Sequence, residues 1–354
     1  MALINVPKLQ SLRKEPILIY QKEGKNMLNR MAESFYWIGR YMERVDFTTR
    51  LIDVNYHSHH VLLDKENNQE YLKKRLLAAF SDHRFANQLI EIHNHELLDF
   101  LSFEHTYDNS ILSCLGKARQ NVRIVRGQLP EKIWDSINSF YHWLKAQGGQ
   151  EGNNQLPYRF FEKIHQKVSL FNGITDSTML RENEWNFIQA GKFIERAANS
   201  LRILQLFCDL LKEERESYHP FISIIESADG LEAFRKHYSN QIKQEEIFEF
   251  LVHNKAFPKS VFFSLTNLEM YLKIVENDIY IVRYTKLNRL LTGIKAELSA
   301  GFDLKEQTNR DLQTWLNEIH GMVNQIGMEI ENCFFYEEGA EFSESSPQKK
   351  VAAV

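Results

Sequence analysis

The feature that most limits what this chain can fold into is that it repeats itself. Gly39-Arg40-Tyr41-Met42-Glu43-Arg44 returns as Gly191-Lys192-Phe193-Ile194-Glu195-Arg196, with Gly, Glu and Arg matched 152 positions apart. The match runs on without a gap: Arg50, Leu51, Ile52 and Val54 meet Arg202, Ile203, Leu204 and Leu206, and upstream Phe35 meets Phe187. A second match aligns Glu96–Leu115 with Glu246–Leu265 at an offset of 150. A weaker echo pairs Ile164, His165 and Val168 with Ile319, His320 and Val323 at an offset of 155. Three similar offsets in chain order predict a tandem duplication, with units at 27–177 and 178–337. Residues 1–26 then form an N-terminal extension, and residues 338–354, polar with a Ser-Ser-Pro turn, form a flexible tail.

Each unit reads as helix. Phe35, Ile38, Met42, Val45 and Ile52 step by three, four or seven, the spacing of one helix face, and Phe187, Ala190, Ile194, Ala197 and Leu204 do the same. Further helices are expected at 69–80, 85–102, 110–127, 131–146, 157–171, 242–253, 260–299 and 304–335, with Asp108 or Asn109 capping one start and Pro130 and Pro258 at helix beginnings. Composition agrees. Gly is 15 and Pro 7 of 354 residues, below average usage of about 7% and 5%, and these are the residues helix interiors reject. The expected fold is an all-α helical bundle built from a tandem duplication of a multi-helix unit, with the two copies free to share one core.

Composition also narrows function. The balance of 43 Lys and Arg against 47 Asp and Glu gives a net charge of -4 and no basic excess of the kind nucleic-acid binders show. Cys114, Cys208 and Cys333 are far apart and in no CxxC pattern, which argues against disulfides or structural zinc and makes a reducing cytoplasm the default. No stretch reaches the apolar length of a membrane span, and the N-terminus lacks secretory-signal form. The repeated unit begins at Met27, and Lys22-Glu23-Gly24 could be encoded by a purine-rich, ribosome-binding-like stretch. Met27 as the native start is therefore one expectation; a genuine extension is the other.

The repeated polar residues admit two readings. Gly39, Glu43, Asp46 and Arg50 share one helix stripe, matched by Gly191, Glu195, Ala198 and Arg202, while Arg40 and Arg44 share a neighbouring stripe with counterparts Lys192 and Arg196. A glycine inside a helix costs about 1 kcal/mol relative to Ala, so its recurrence predicts close backbone approach. In the structural reading, Glu43 and Glu195 pair with arginines across a helix interface, with Arg202 and Arg50 placed around a pseudo-twofold axis, and fix register. In the functional reading, Arg40, Glu43, Arg44, Arg50, Lys192, Glu195, Arg196 and Arg202, with Arg119, Arg123 and Arg126, line a cleft that grips a carboxylate, phosphate or acidic peptide, a task suited to the forked donors of guanidinium. Catalysis by the glutamates is disfavoured because no nucleophile–base pair is visible.

Other clusters carry less. His57, His59 and His60 have Asp209, Leu211 and Lys212 at the matching positions, so they are outside the repeated pattern and read as a solvated face. Glu162/His165 and Glu216/His219 have the Glu-x-x-His spacing of di-iron bundles, but His219 precedes Pro220 and the partner of His165, His320, follows Asn317 by three. No metal and no cofactor is expected. Trp134, Phe140, Tyr141 and Trp143 read as core. No P-loop, GxGxxG or GxSxG is present, so the chain shows no ATP site of its own.

Met27-Leu28-Asn29-Arg30, Ala32-Glu33, Tyr36-Trp37-Ile38-Gly39-Arg40-Tyr41-Met42-Glu43-Arg44 and Arg50-Leu51-Ile52-Asp53-Val54 resemble the opening signature of the alpha-E domain proteins. Ala118-Arg119-Gln120-Asn121-Val122-Arg123, Trp134, Gly173-Ile174-Thr175-Asp176-Ser177-Thr178-Met179 and Phe257-Pro258-Lys259-Ser260-Val261 resemble further landmarks of that family. The resemblance covers nearly all of 27–337. It implies a helical domain with a Glu-Arg motif, usually in tandem, encoded beside circularly permuted ATP-grasp proteins, transglutaminase-like proteins and an Ntn-hydrolase-type peptidase. That context implies a role in peptide or amide-bond synthesis or modification. Two functions follow from it: a non-catalytic helical subunit that holds a peptide or docks on the ATP-grasp partner, or an enzyme using the paired glutamates as acid and base.

Overall fold

The computed structural model describes residues 21–60, 76, 79, 94–148, 158–212, 219–238, 242–276 and 284–335. Among them are twelve α-helices and no strand: α1 (Gln21–His60), α2 (Asn94–Phe103), α3 (Ile111–Ile124), α4 (Glu131–Gln147), α5 (Tyr158–Thr178), α6 (Asn183–Lys212), α7 (His219–Ser227), α8 (Leu231–His237), α9 (Gln244–Val252), α10 (Val261–Glu276), α11 (Tyr284–Ala300) and α12 (Asn309–Phe334). None is long and apolar enough to cross a membrane.

α1 and α6 are the two matched helices, and their mutual packing is the largest helix–helix contact among the described residues. Around them each copy arranges the same shell: α3 and α5 on α1, α10 and α12 on α6. The periodic residues of both central helices, from Phe35 to Ile52 and from Phe187 to Leu204, are buried in one continuous core that draws on both copies. Burying both faces of α6 explains its length without amphipathic contrast: its buried positions run all round the helix, as in a helix at the centre of a bundle.

The second match in the sequence is a repeated helix start. Before α3, Ser110 accepts from the backbone N–H of Ser113 (3.1 Å), and before α10, Ser260 accepts from that of Phe263 (3.0 Å). Glu104 accepts from the N–H of Thr106 (2.8 Å) where Asn254 accepts from that of Ala256 (2.9 Å). Phe100 stacks on Tyr107 as Phe250 stacks on Phe257.

Some expected bounds differ. The cap of α3 is Ser110, not Asp108 or Asn109; Asn109 is taken by Arg44, whose Nη1 donates to its Oδ1 at 2.8 Å. Within the 260–299 span the described residues form α10 and α11; residues 277–283 lie outside them. α12 starts at Asn309 instead of 304, where Thr308 and Asp311 form a capping box. α7 and α8 have no counterpart among the expected helices, being short and flanked by polar residues. α1 reaches back to Gln21, into the stretch expected to be extension. The helix expected at 69–80 lies outside the described residues except Leu76 and Ala79, both helical and buried. The start before Gln21 and the tail at 338–354 also lie outside them.

Candidate functional site

The site is the crossing of α1 and α6. A Cβ added to Gly39 would stand 2.0 Å from the carbonyl oxygen of Ile188 and 2.8 Å from the N of Lys192. A Cβ added to Gly191 would stand 1.9 Å from the carbonyl oxygen of Tyr36 and 3.2 Å from the N of Arg40. Tyr36 and Arg40 are the repeat counterparts of Ile188 and Lys192, so the contact is reciprocal: each glycine lies on the backbone of the other helix. Only a residue without a side chain permits this approach.

Such closeness lets side chains on the flanks of each helix reach across. Arg44 donates Nε and Nη2 to the two oxygens of Glu195, at 2.8 and 2.9 Å. Arg196 donates Nε and Nη2 to the two oxygens of Glu43, at 2.6 and 2.8 Å. The Glu-Arg pair of each copy is thus completed by the Glu-Arg pair of the other, in two bidentate bridges. Glu195 is 1% and Glu43 7% exposed. Pairing thus runs across the helix interface, but through Arg44 and Arg196; of Arg50 and Arg202, Arg202 lies 3.8 Å from Glu195 on its own helix and Arg50 pairs with Asp46. A helical stripe identifies neighbours on one helix, whereas at a backbone-to-backbone crossing the residues about 100° round the helix are the ones that meet the opposite chain.

The two halves are not identical in detail. Glu195 also accepts from Arg40 Nε at 2.9 Å and lies 3.8 Å from Arg202. Lys192, the counterpart of Arg40, instead reaches Asn172 Oδ1 at 3.4 Å, and burial and Arg196 pull its ammonium below the ordinary lysine value. Burial pushes the Glu195 carboxyl upward, but Arg44 and Arg40 outweigh it and hold the group below the usual carboxylate range. Arg50 pairs with Asp46 of its own helix (2.8 Å) and Asp229 (3.1 Å). Asp46 further accepts from Lys259 (3.4 Å) and faces His165 Nδ1 (3.2 Å). Burial works against the Asp46 carboxylate, yet Lys259 and Arg50 hold it well below its usual range. At the matching place in the second copy stands Ala198, and His320 meets Asn324 at 3.4 Å instead.

Arg119, Arg123 and Arg126 are not part of this cluster. They lie on and just after α3, toward α4. Arg119 donates to Asn138 Oδ1 at 2.8 Å and covers Trp134 and Tyr141; Arg126 also covers Trp134. The aromatic group expected to be core is core: Phe140 is buried, and Trp134, Tyr141 and Trp143 are half-buried and pack against it, with Trp134 and Tyr141 also flooring the arginines.

Among the described residues no three His, Cys, Asp or Glu are placed to hold a metal. His165 faces Asp46, and Glu162 accepts from Gln166. The side chains of His57, His59, His60, Glu216 and His219 lie outside the described residues. The three cysteines are free, and burial pushes the Cys114 thiol, beside the crossing, up to about 11, the opposite of an activated nucleophile.

Two copies of a helical unit joined by their Glu-Arg motifs define the class, and the family comparison agrees. The chain belongs to the Alpha-E family, described as a predicted alpha-helical domain with a conserved ER motif, which matches residues 27–335. No curated protein and no solved structure matches the chain.

Proposed function

We propose that the chain is a non-catalytic helical subunit, one that binds a substrate or partner within a peptide or amide-bond synthesis or modification system. Its partners there are a circularly permuted ATP-grasp protein and a transglutaminase-like protein, and its compartment is the cytoplasm. The system comes from the alpha-E resemblance; the role within it comes from the crossing. The observation that carries it is that Glu43 and Glu195 are enclosed and spent on intramolecular arginines. A general acid or base needs a proton within reach of substrate, and the Glu195 carboxylate, held low by Arg44 and Arg40, is a weak base. The motif fits a clasp that joins the copies into one rigid body, leaving recognition to the outer surface.

Co-expression with the ATP-grasp protein tests this. The expected result is a complex that survives size-exclusion chromatography, with no turnover of peptide by the helical chain alone. Partners that never associate, or peptide turnover by this chain alone, would overturn it.

A further inference from the structure

The outer face of α3 carries a groove of about 780 Å³, within the range of about 300–1,000 Å³ usual for ligand clefts. Lys117, Arg119, Gln120, Arg123, Ile124 and Tyr141 are among the residues that line it, and Arg126 flanks it. Its cations differ from those of the crossing. Arg40, Arg44, Arg50 and Arg196 are all bound to carboxylates. Of the groove cations only Lys117 has one, Asp108 at 2.7 Å. Among the described residues Arg119, Arg123 and Arg126 have none: Arg119 meets a neutral amide, Arg126 an aromatic ring. Three guanidinium groups without counter-charge on a chain of net charge -4 form a local field that favours an anion.

The second copy carries a different charge pattern at the same place. Arg119 corresponds to Glu269, Arg123 to Lys273 and Ile124 to Ile274. Glu269 is bound by Lys273 (2.9 Å) and by Lys295 of α11, so charge is neutralised within the protein and α10 is tied to its neighbour. In the first copy that internal acid is replaced by a cation.

We propose that the α3 groove of the first copy binds an acidic polypeptide segment, with Arg119 and Arg123 gripping its carboxylates. Guanidinium presents paired donors matched to carboxylate. Ile124, 60% exposed, offers apolar surface beside the charges, which suits peptide side chains. Trp134 and Tyr141 already carry guanidinium groups on their faces, so they do not present a bare platform for nucleobases. The inference rests on the reading of the chain as a binding subunit and gives that reading a location and a ligand chemistry.

The test uses the full chain and fluorescein-labelled hexaglutamate, followed by anisotropy at low salt, with hexaglutamine and a single-stranded DNA of equal length as comparators. Hexaglutamate binds, hexaglutamine does not, and added NaCl weakens the complex. R119Q with R123Q weakens binding about tenfold or more, while K273Q in the second copy leaves it unchanged. Circular dichroism establishes that the variants are folded; should the double variant unfold, R123Q alone, at an exposed position, carries the test. Absent hexaglutamate binding, binding indifferent to these variants, or tighter binding of DNA overturns the proposal. If hexaglutamate fails while the ATP-grasp complex forms, only the groove falls; if the complex never forms, the wider reading falls.

Discussion

On α3 the groove position is Arg119, which donates to Asn138 of α4; on α10 the matching position is Glu269, which takes Lys295 of α11 and Lys273 of its own helix. At the crossing, by contrast, the copies answer each other: Gly39 lies on Ile188 as Gly191 lies on Tyr36, and Arg44 holds Glu195 as Arg196 holds Glu43. Where the copies touch, a change in one must be met by the other, because each motif is half of a joint bridge. Where they face outward nothing enforces that match, and the charge at one position has inverted. The contrast separates residues that hold the molecule together from residues available to a ligand.

Breaking the joint region carries the largest cost. Glu195→Ala strands Arg40 and Arg44 and should cost about 3–5 kcal/mol, the range for removing one partner of a buried ion pair; Glu43→Ala strands only Arg196 and should cost less. Urea denaturation measures both. Gly39→Ala and Gly191→Ala should each cost about 3 kcal/mol, the upper part of the overpacking range, and the two should be nearly equal because the contacts they spoil are reciprocal. A large inequality would break the symmetry of the crossing.

Acid reaches the same groups without mutation. Glu195 and Asp46 lie below their ordinary values in the folded chain. As pH falls past their unfolded values, about 4, the unfolded state takes up protons first. Stability is therefore fully present near neutrality and falls as pH drops below about 5 toward the folded values. Thermal melts at pH 7 and pH 4 should show a lower midpoint at pH 4. The smallest effects belong to the outer faces. Glu269→Ala should cost about 1 kcal/mol, as its lysines are partly exposed. R119Q should cost about 1 kcal/mol, since it removes the bond to Asn138, and R123Q and R126Q should each change stability by less than about 0.5 kcal/mol; R119Q and R123Q should also weaken hexaglutamate binding.

Much of this was readable before the fold was. The duplication, the helical class and the close approach at Gly39 and Gly191 followed from spacing alone, since period and glycine placement are local properties. The partners of the glutamates did not follow: Arg50 and Arg202 share their stripe, but Arg44 and Arg196 face them across the crossing. Sequence spacing orients a residue on its own helix and says nothing of which face of a second helix it meets. For the same reason spacing does not separate Arg119, Arg123 and Arg126 from the cluster, although Arg119 bonds Asn138 of α4 and Arg126 covers Trp134. Aligning Arg119 with Glu269 was possible from the 150-residue offset; what that inversion means needed Asn138 and Lys295 in place.

The central claim is that the Glu-Arg motifs are an intramolecular clasp. A double-mutant cycle of Glu43→Gln and Arg196→Gln, followed by urea denaturation of the ligand-free chain, tests it most directly. The account predicts a favourable coupling of about 1–3 kcal/mol between the two positions. Additive effects, with coupling below about 0.5 kcal/mol, would contradict it.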